Sequence, residues 1–302
     1  MQTSPGPTTA GDRVTALVVT YNSAGVIAGC LDSLAGCART IVIDNASADA
    51  TCALVAARFP TVEVLANPRN QGFGRAHNRG YRSATTEFVL FMNPDARLGH
   101  GALAALVETA DRHPDAALIA PRIEDDDGDP VASHDVDLWR RGCLPRGGPA
   151  LPEGEVCAEF LSGAVLLLRR AALGIALPFD PAIFLFYEDD DLCLRLRRQG
   201  WSLVQTPSAV ASHAGGAACA PSPRVTWIKS WHIAWSRLYF EAKHHGARSA
   251  WRFGPMQALR FAGKALAHGV TLNRPKALRD RARLCGTLAY LAGRRAAPPT
   301  EG

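Results

Sequence analysis

Glu188-Asp189-Asp190-Asp191 places four consecutive carboxylates between an aromatic stretch, Phe184 to Tyr187, and a helical apolar pattern, Leu192, Leu194 and Leu196. Acids in a helix's first turn are favoured by its dipole, and Asp191 with Arg195 is an i,i+4 pair that supports a helix. A helix-stabilising cluster therefore accounts for the run as well as a site does. Two further polar segments favour a site. Asn93-Pro94-Asp95 follows the strand-like Phe88 to Met92, and Ser212-His213 follows another short apolar run. Two carboxylate segments and an imidazole after separate strands are the parts of a metal-dependent transferase. Such chemistry needs an ionised, oriented base, and like charges and desolvation both raise the pKa of a clustered carboxylate.

Strands and helices that alternate must hold these residues. Val14 to Thr20 is a near-continuous β-branched run, as in a strand buried on both faces. Ser23 can cap a helix reaching Leu34. A strand over Thr40 to Asp44, a helix to Phe59 and a strand over Val62 to Leu65 follow. The turn Asn70-Gln71-Gly72-Phe73-Gly74 leads into a helix carrying Arg75, Asn78 and Arg79. Phe88 to Met92 is the next strand, then a helix over Ala102 to Arg112 and a strand over Ala117 to Ile123. This order predicts a doubly wound α/β layer whose ligands bind at the carboxyl ends of strands. Tyr21-Asn22, Asp44 and Asn93 to Asp95 all fall at such ends. Taken singly, each is also an ordinary turn former or cap.

Glu124 to Glu159 is rich in Asp, Gly and Pro and contains Arg140-Arg141-Gly142, which suits a long loop or a substrate-facing lid. Phe160 to Leu168 is strand-like with a small-residue kink at Ser162-Gly163-Ala164. Trp201 to Gln205 and Ala209 to Ser212 form two short strands ending at His213-Ala214-Gly215-Gly216. From Arg224 the period is helical, and Trp227, Trp231, Trp235 and Leu238 share one face.

The net charge of +5 conceals a split: 15 Lys and Arg against 3 acids from Arg224 onward, a net of +12, leaves −7 for the rest of the 302 residues. An acidic body suits a divalent cation, and a basic tail suits either solvent or an anionic membrane surface with Trp and Phe in the interface. The eight cysteines form no CxxC pair and read as reduced core residues of a cytosolic protein. The polar N-terminus shows no signal peptide, and no apolar run reaches membrane-spanning length.

Six motifs stand in an order that resembles family-2 glycosyltransferases, nearest the rhamnosyltransferase branch that builds bacterial cell-surface polysaccharides. They are Val18 to Ser23, Ile43 to Asp49, Asn70 to Asn78, Asn93-Pro94-Asp95, Ser162-Gly163-Ala164 and Tyr187 to Arg195. The resemblance covers about residues 13–216. It implies a GT-A-type doubly wound mixed sheet with helices on both faces over residues 12–223, and a basic helical C-terminal extension over 224–296. It further implies inverting transfer of a sugar, rhamnose first, from a nucleoside diphosphate donor to a glycan or polyprenyl-diphosphate-linked acceptor. The site would lie in the cytoplasm, peripheral on the inner face of the plasma membrane.

By the same resemblance Thr20, Tyr21, Asn22 and Asp44 hold the nucleoside, with Asn45 and Ser47 in support. Asn70, Gly72 and Asn78 line the diphosphate side. Asp95 is the last acid of the family's Asp-X-Asp, His213 completes the shell of a Mg²⁺ or Mn²⁺ ion, and Asp189 is the base. Asn93 departs from the family by replacing the first acid, which moves it from the cation to the donor side. The alternatives are a nucleotidyltransferase, which usually carries Lys or Arg straight after its first strand where this chain has Tyr21 to Gly25, and a non-catalytic sugar-nucleotide-binding protein. Clustered Lys and Arg without a binding motif do not make a nucleic-acid binder.

Overall fold

The computed structural model describes residues 9–135, 152–215 and 222–296. Arg140 to Gly142, Cys143, Gly216 and Cys219 lie outside the described residues. The chain divides into two compact units, one of residues 1–70, 76–178 and 192–218, the other of 71–75, 179–191 and 219–302.

The first unit is built on a mixed sheet. In chain order its elements are β1 (Val14–Thr20), α1 (Ile27–Asp32), β2 (Arg39–Asp44), α2 (Thr51–Arg58), β3 (Glu63–Ala66), α3 (Phe73–Tyr81), β4 (Phe88–Met92), β5 (Ala96–Leu98), α4 (Ala102–Arg112) and β6 (Ala116–Glu124). The short β7 (Pro130–Val131), β8 (His134–Asp135), β9 (Val156–Cys157) and β10 (Phe160–Leu161) precede β11 (Val165–Arg169), the helix α5 (Glu188–Arg198), which belongs to this unit from Leu192 onward, and β12 (Ser202–His213). The strand order is β3-β2-β1-β4-β11-β6-β12-β5, with β7 on β6 and β9 on β12, while β8 and β10 form a separate pair. The strands β3, β2, β1 and β4 run parallel, and β11 enters antiparallel between β4 and β6.

Alternation along the strands puts helices on both faces. Val14, Ala16 and Val18 of β1 join Phe88, Leu90 and Met92 of β4 in a core cluster with Ile27 of α1, Val55 of α2 and Leu106 of α4. Each such fully buried Val, Ile, Leu, Phe or Met side chain stabilises the fold by about 1.5–3 kcal/mol. The opposite side chains meet α3: His77 packs edge-on against Phe91 at 5.1 Å between ring centroids. Gly80 lets α3 approach closely, since a Cβ there would stand 2.7 Å from Ile43 Cδ1.

Three local departures from the sequence reading have physical causes. The first helix begins at Ile27, with no side-chain cap: Ser23 sits in a preceding turn, where its carbonyl accepts from Val26 and Ile27 and its hydroxyl accepts from the Tyr21 N–H. The kink at Ser162 to Ala164 separates β10 from β11. The two expected strands after Trp201 are one strand, β12, whose pairing with β6 shifts between Thr206 and Val210. Pro207 sits in that shift, where its missing N–H costs no ladder bond.

The second unit contains three helices, α6 (Pro223–His245), α7 (Ala247–Val270) and α8 (Arg274–Leu291). Trp235 of the expected aromatic stripe is buried with Phe184 and Ala296, with Trp231, Tyr239 and Tyr290 packed around them. Ser222 and Asn273 cap α6 and α8 by accepting from Val225 and Lys276, and each is followed within two residues by proline. The described cysteines are free; Cys30 and Cys193 are buried, but Cys157 and Cys285 are exposed.

Candidate active site

Parallel pairing of β1 with β2 sets Thr20 beside Asp44, so their carboxyl ends deliver two loops to one edge. There the Thr20 hydroxyl donates to Asp44 Oδ1 at 2.9 Å, and the Ser47 N–H donates to Asp44 Oδ2 at 2.9 Å. Asn22 lies in the left-handed region at φ 54°, a conformation Asn tolerates better than most residues. Its N–H donates to Ser47 Oγ at 2.8 Å, and its Oδ1 accepts from Ala48 at 2.7 Å. Asn45 donates its N–H to the Thr20 carbonyl at 2.8 Å and accepts from Asn67 Nδ2 at 3.0 Å. Thr20, Asn22, Asp44, Asn45 and Ser47 thus form one hydrogen-bonded cluster, with Tyr21 exposed beside it.

Sequence reasoning did not single out four of this cluster's supports. Thr51 Oγ1 accepts from Ser23, Asp49 accepts from Ala24, and Arg79 donates to both Asn67 and the Ala66 carbonyl. The motif Ile43 to Asp49 already contained Asp49, and Asn67-Pro68 is a turn signal. Asn78 is buried on α3, and Asn70 is half-buried in the preceding loop.

On the next strand along the same edge, β4 ends at Met92, paired with Val18, and the chain turns through Asn93-Pro94-Asp95 into β5. The strand β12, redirected by its irregularity, pairs His213 with Ala96. That register brings His213 Nε2 to 3.3 Å from both Asp95 Oδ1 and Asn93 Nδ2. The Asp95 side chain is 1% exposed and that of His213 20%. A carboxylate oxygen and an imidazole nitrogen fit a hard divalent cation that takes few protein ligands and completes its shell with phosphate and water. Among the described residues no group of three or more His, Cys, Asp or Glu gathers to hold a metal. The Asp95–His213 pair is the donor set the chain offers at this edge.

The acidic run opens α5, and its residues up to Asp191 belong to the second unit. Phe186 and Tyr187 directly before it both have positive φ, 67° and 70°, so the helix start is set by strained backbone. Asp189 is half-buried, and its Oδ1 accepts from the Asp190 N–H at 3.1 Å. Burial, then the neighbouring Asp189 and Asp190, push the Glu188 carboxyl well above the usual range. Glu188 Oε2 is buried with no hydrogen-bond partner among the described residues. Burial therefore perturbs the first carboxyl of the run.

Asp191 is fully buried and receives Lys243 Nζ at 2.6 Å and His244 Nε2 at 2.7 Å. Lys243 also reaches Asp180 at 2.6 Å, where the Tyr239 hydroxyl donates at 3.0 Å. Arg195 donates to the Pro178 carbonyl. Gly72, at φ 87°, has a packing role in this unit: a Cβ there would stand 2.3 Å from the Phe184 carbonyl oxygen, and the next N–H, from Phe73, donates to that oxygen at 3.0 Å.

The family model for glycosyl transferase family 2 matches residues 15–158. That segment belongs to glycosyl transferase family 2. The family-2 segment holds the Thr20–Asp44 cluster and Asp95, while Asp189 and His213 lie beyond it. The chain is 33% identical over 200 residues to the N-acetylglucosaminyl-diphospho-decaprenol L-rhamnosyltransferase of Mycobacterium tuberculosis, an alignment covering 57% of this chain and 65% of that one. It is 31% identical over 207 residues to the pre-mycofactocin glycosyltransferase of the same organism, covering 66% of this chain and 42% of that one. The chain thus spans less than two thirds of the length of these relatives. The expected kinship with the rhamnosyltransferase branch holds.

Among solved structures, the mannosyltransferase PcManGT from Pyrobaculum calidifontis in complex with GDP-Man and Mn²⁺ superposes with a TM-score of 0.55 at 17% identity, covering 92% of this chain and 87% of that one. GalNAc-T7 with UDP, GalNAc and Mn²⁺ gives 0.52 at 15% identity, covering 66% and 43%. Both share the fold, which is of the GT-A type with a helical C-terminal region.

Proposed function

We propose that this chain is an inverting glycosyltransferase that moves a sugar, rhamnose in the first instance, from a nucleoside diphosphate to a hydroxyl of a polyprenyl-diphosphate-linked glycan. The observation that carries the reading is the shared sheet edge of the first unit. There the Thr20–Asp44 cluster and the Asp95–His213 pair are offered by neighbouring strands. One suits a nucleoside, the other the cation that accompanies its diphosphate. The M. tuberculosis relative, whose name joins rhamnosyl transfer to a decaprenyl-diphosphate acceptor, supports the choice of sugar and acceptor.

In this reading Thr20, Tyr21, Asn22 and Asp44 bind the nucleoside, braced by Asn45 and Ser47, while Asn70, Gly72 and Asn78 line the diphosphate side. Asp95 and His213 would hold Mg²⁺ or Mn²⁺, with Asn93 on the donor side; a bound cation would neutralise charge on the departing diphosphate. Asp189 takes the proton of the acceptor hydroxyl. The freed oxygen forms the new bond at the anomeric carbon from the face opposite the diphosphate, and the old carbon–oxygen bond breaks to release nucleoside diphosphate. The basic C-terminal helices hold the enzyme at the anionic inner face of the membrane, where a lipid-linked acceptor resides.

Donor turnover tests the proposal. With deoxythymidine diphosphate-rhamnose, a lipid-linked acceptor and Mn²⁺, the protein should release nucleoside diphosphate. Asp189→Asn should lose that release while keeping donor affinity within about threefold, because the base acts on the acceptor. Release of pyrophosphate would make the chain a nucleotidyltransferase, and tight donor binding without turnover would make it a binding protein.

A further inference from the structure

The helix α7 is inside out. Its inward positions Ala250, Gly254 and Gln257 recur at i, i+4 and i+7 and are small or polar. Gly254 admits Leu291, and Gln257 donates to the Ala234 carbonyl at 3.3 Å and to Thr287 Oγ1 at 2.9 Å. Phe261 lies on the inward side under Arg283, but most of the large apolar residues face the other way. Trp251 is 59% exposed, Met256 65%, Leu259 76%, Leu266 71% and Val270 76%. At 100° per residue these five positions fall within an arc of about 140° and roughly 28 Å long, which Arg248 and Arg252 share at its start. Amphipathic helices that pack on a protein body have the reverse polarity, and exposed stripes of this kind mark an interaction surface.

Charge identifies the partner. The 24 residues of α7 include Arg248, Arg252, Arg260 and Lys264 and no acid. On the same wheel Arg248 and Arg252 fall inside the arc and Arg260 lies about 40° beyond its edge, while Lys264 falls beside the inward Gln257. Two such helices brought face to face would repel, whereas an anionic surface would be attracted at every cation. Just past Val270, the exposed Leu272 lines a cavity of about 690 Å³ together with Thr226, His268, Arg274, Leu278 and Arg281. The apolar, arginine-bearing character therefore continues beyond the helix end. No described helix is long and apolar enough to cross a membrane.

We infer that α7 lies along an anionic lipid surface with Trp251, Met256, Leu259, Leu266 and Val270 in the acyl boundary and its arginines at the headgroups. This rests on the proposed membrane placement and assigns it to one helix face; it requires nothing of the transfer chemistry.

Sedimentation of the full chain with vesicles of phosphatidylglycerol and phosphatidylcholine, and with phosphatidylcholine alone, tests the inference without any substrate. The wild type should bind the anionic vesicles at low salt, release them as salt rises, and bind the neutral ones weakly. Leu259→Ser with Leu266→Ser should weaken binding about tenfold or more at an unchanged melting temperature, since both side chains are exposed. Arg252→Gln with Arg260→Gln should weaken it about fivefold per cation and flatten the salt dependence. Wild-type protein that ignores anionic vesicles overturns the membrane placement itself. Binding that survives the leucine changes overturns the role of α7, and equal binding to neutral vesicles overturns the role of its cations. A dimer that the leucine changes split into monomers would assign the face to a second copy of the chain.

Discussion

Asp95 Oδ1 lies 3.3 Å from His213 Nε2 because the residue after Asp95, Ala96, is the register partner of His213. Residues more than a hundred positions apart are thereby placed side by side, where the proposed function has them share one cation. Asp95→Asn keeps the shape and removes the charge. Its Mn²⁺ affinity, read by calorimetry in the presence of nucleoside diphosphate, should fall at least about tenfold, since even the loss of an outer-shell partner costs that much. An unchanged affinity would put the cation elsewhere.

Asp44 is buried and accepts from the Thr20 hydroxyl and the Ser47 N–H through different oxygens. Asp44→Asn can satisfy only one of them, leaving a buried donor facing an NH₂ group. The mismatch should cost about 1–3 kcal/mol. The thermal shift produced by nucleoside diphosphate should shrink or vanish. A full-sized shift in the variant would remove Asp44 from the nucleoside pocket.

Gly72 separates packing from ligand contact. Gly72→Ala should lower the melting temperature of the free protein, because the new methyl meets the Phe184 carbonyl and φ is positive. The cost is at least about 1 kcal/mol. If Gly72 served only the diphosphate, the variant would melt normally and lose donor affinity instead.

Glu188 makes stability depend on pH in a defined sense. Its folded pKa is raised above the ordinary 4.5, so the folded state binds the proton more tightly than the unfolded chain. Its contribution to stability is complete below pH 4.5 and is lost as pH rises toward the folded value. Glu188→Gln should flatten that decline and raise the melting temperature at neutral pH. His77 acts with the opposite sign. Burial lowers its pKa from 6.5 to about 3, so its contribution is complete above 6.5 and is lost as pH falls toward 3. Urea unfolding of wild type and Glu188→Gln across pH 5 to 8 isolates the first effect; parallel curves would mean that Glu188 is not perturbed.

Much of the first unit was readable in the sequence because its strands carry strong local signals. Val14 to Thr20, Phe88 to Met92 and the helix over Ala102 to Arg112 appear with the same bounds. The end of β12 was harder: Pro207 interrupts the pattern and reads as a break, but pairing with β6 on either side of it keeps one strand. Support for the site was illegible for a related reason. Neither Asn67 with Asn45 nor Lys243 with Asp191 forms a local pattern, since each pair is joined only by tertiary packing. Glu188 stood in the acidic run from the start, yet its burial, which distinguishes it from Asp189, depends on neighbours that spacing does not reveal. The outward polarity of α7 was likewise invisible, because periodicity finds an amphipathic helix without saying which face turns in.

Phe179 to Asp191 shares its compact unit with α6, α7 and α8, and that has a practical outcome for anyone shortening this chain. Truncation after residue 223 would strip Phe184 of Trp235 and Ala296, leave the Leu185 carbonyl without the Ser236 hydroxyl, and strand the Asp191 carboxylate without Lys243 and His244. The turn bearing Asp189 would go slack although every residue of the family-matched segment survived. A minimal active fragment of this chain has to retain its tail.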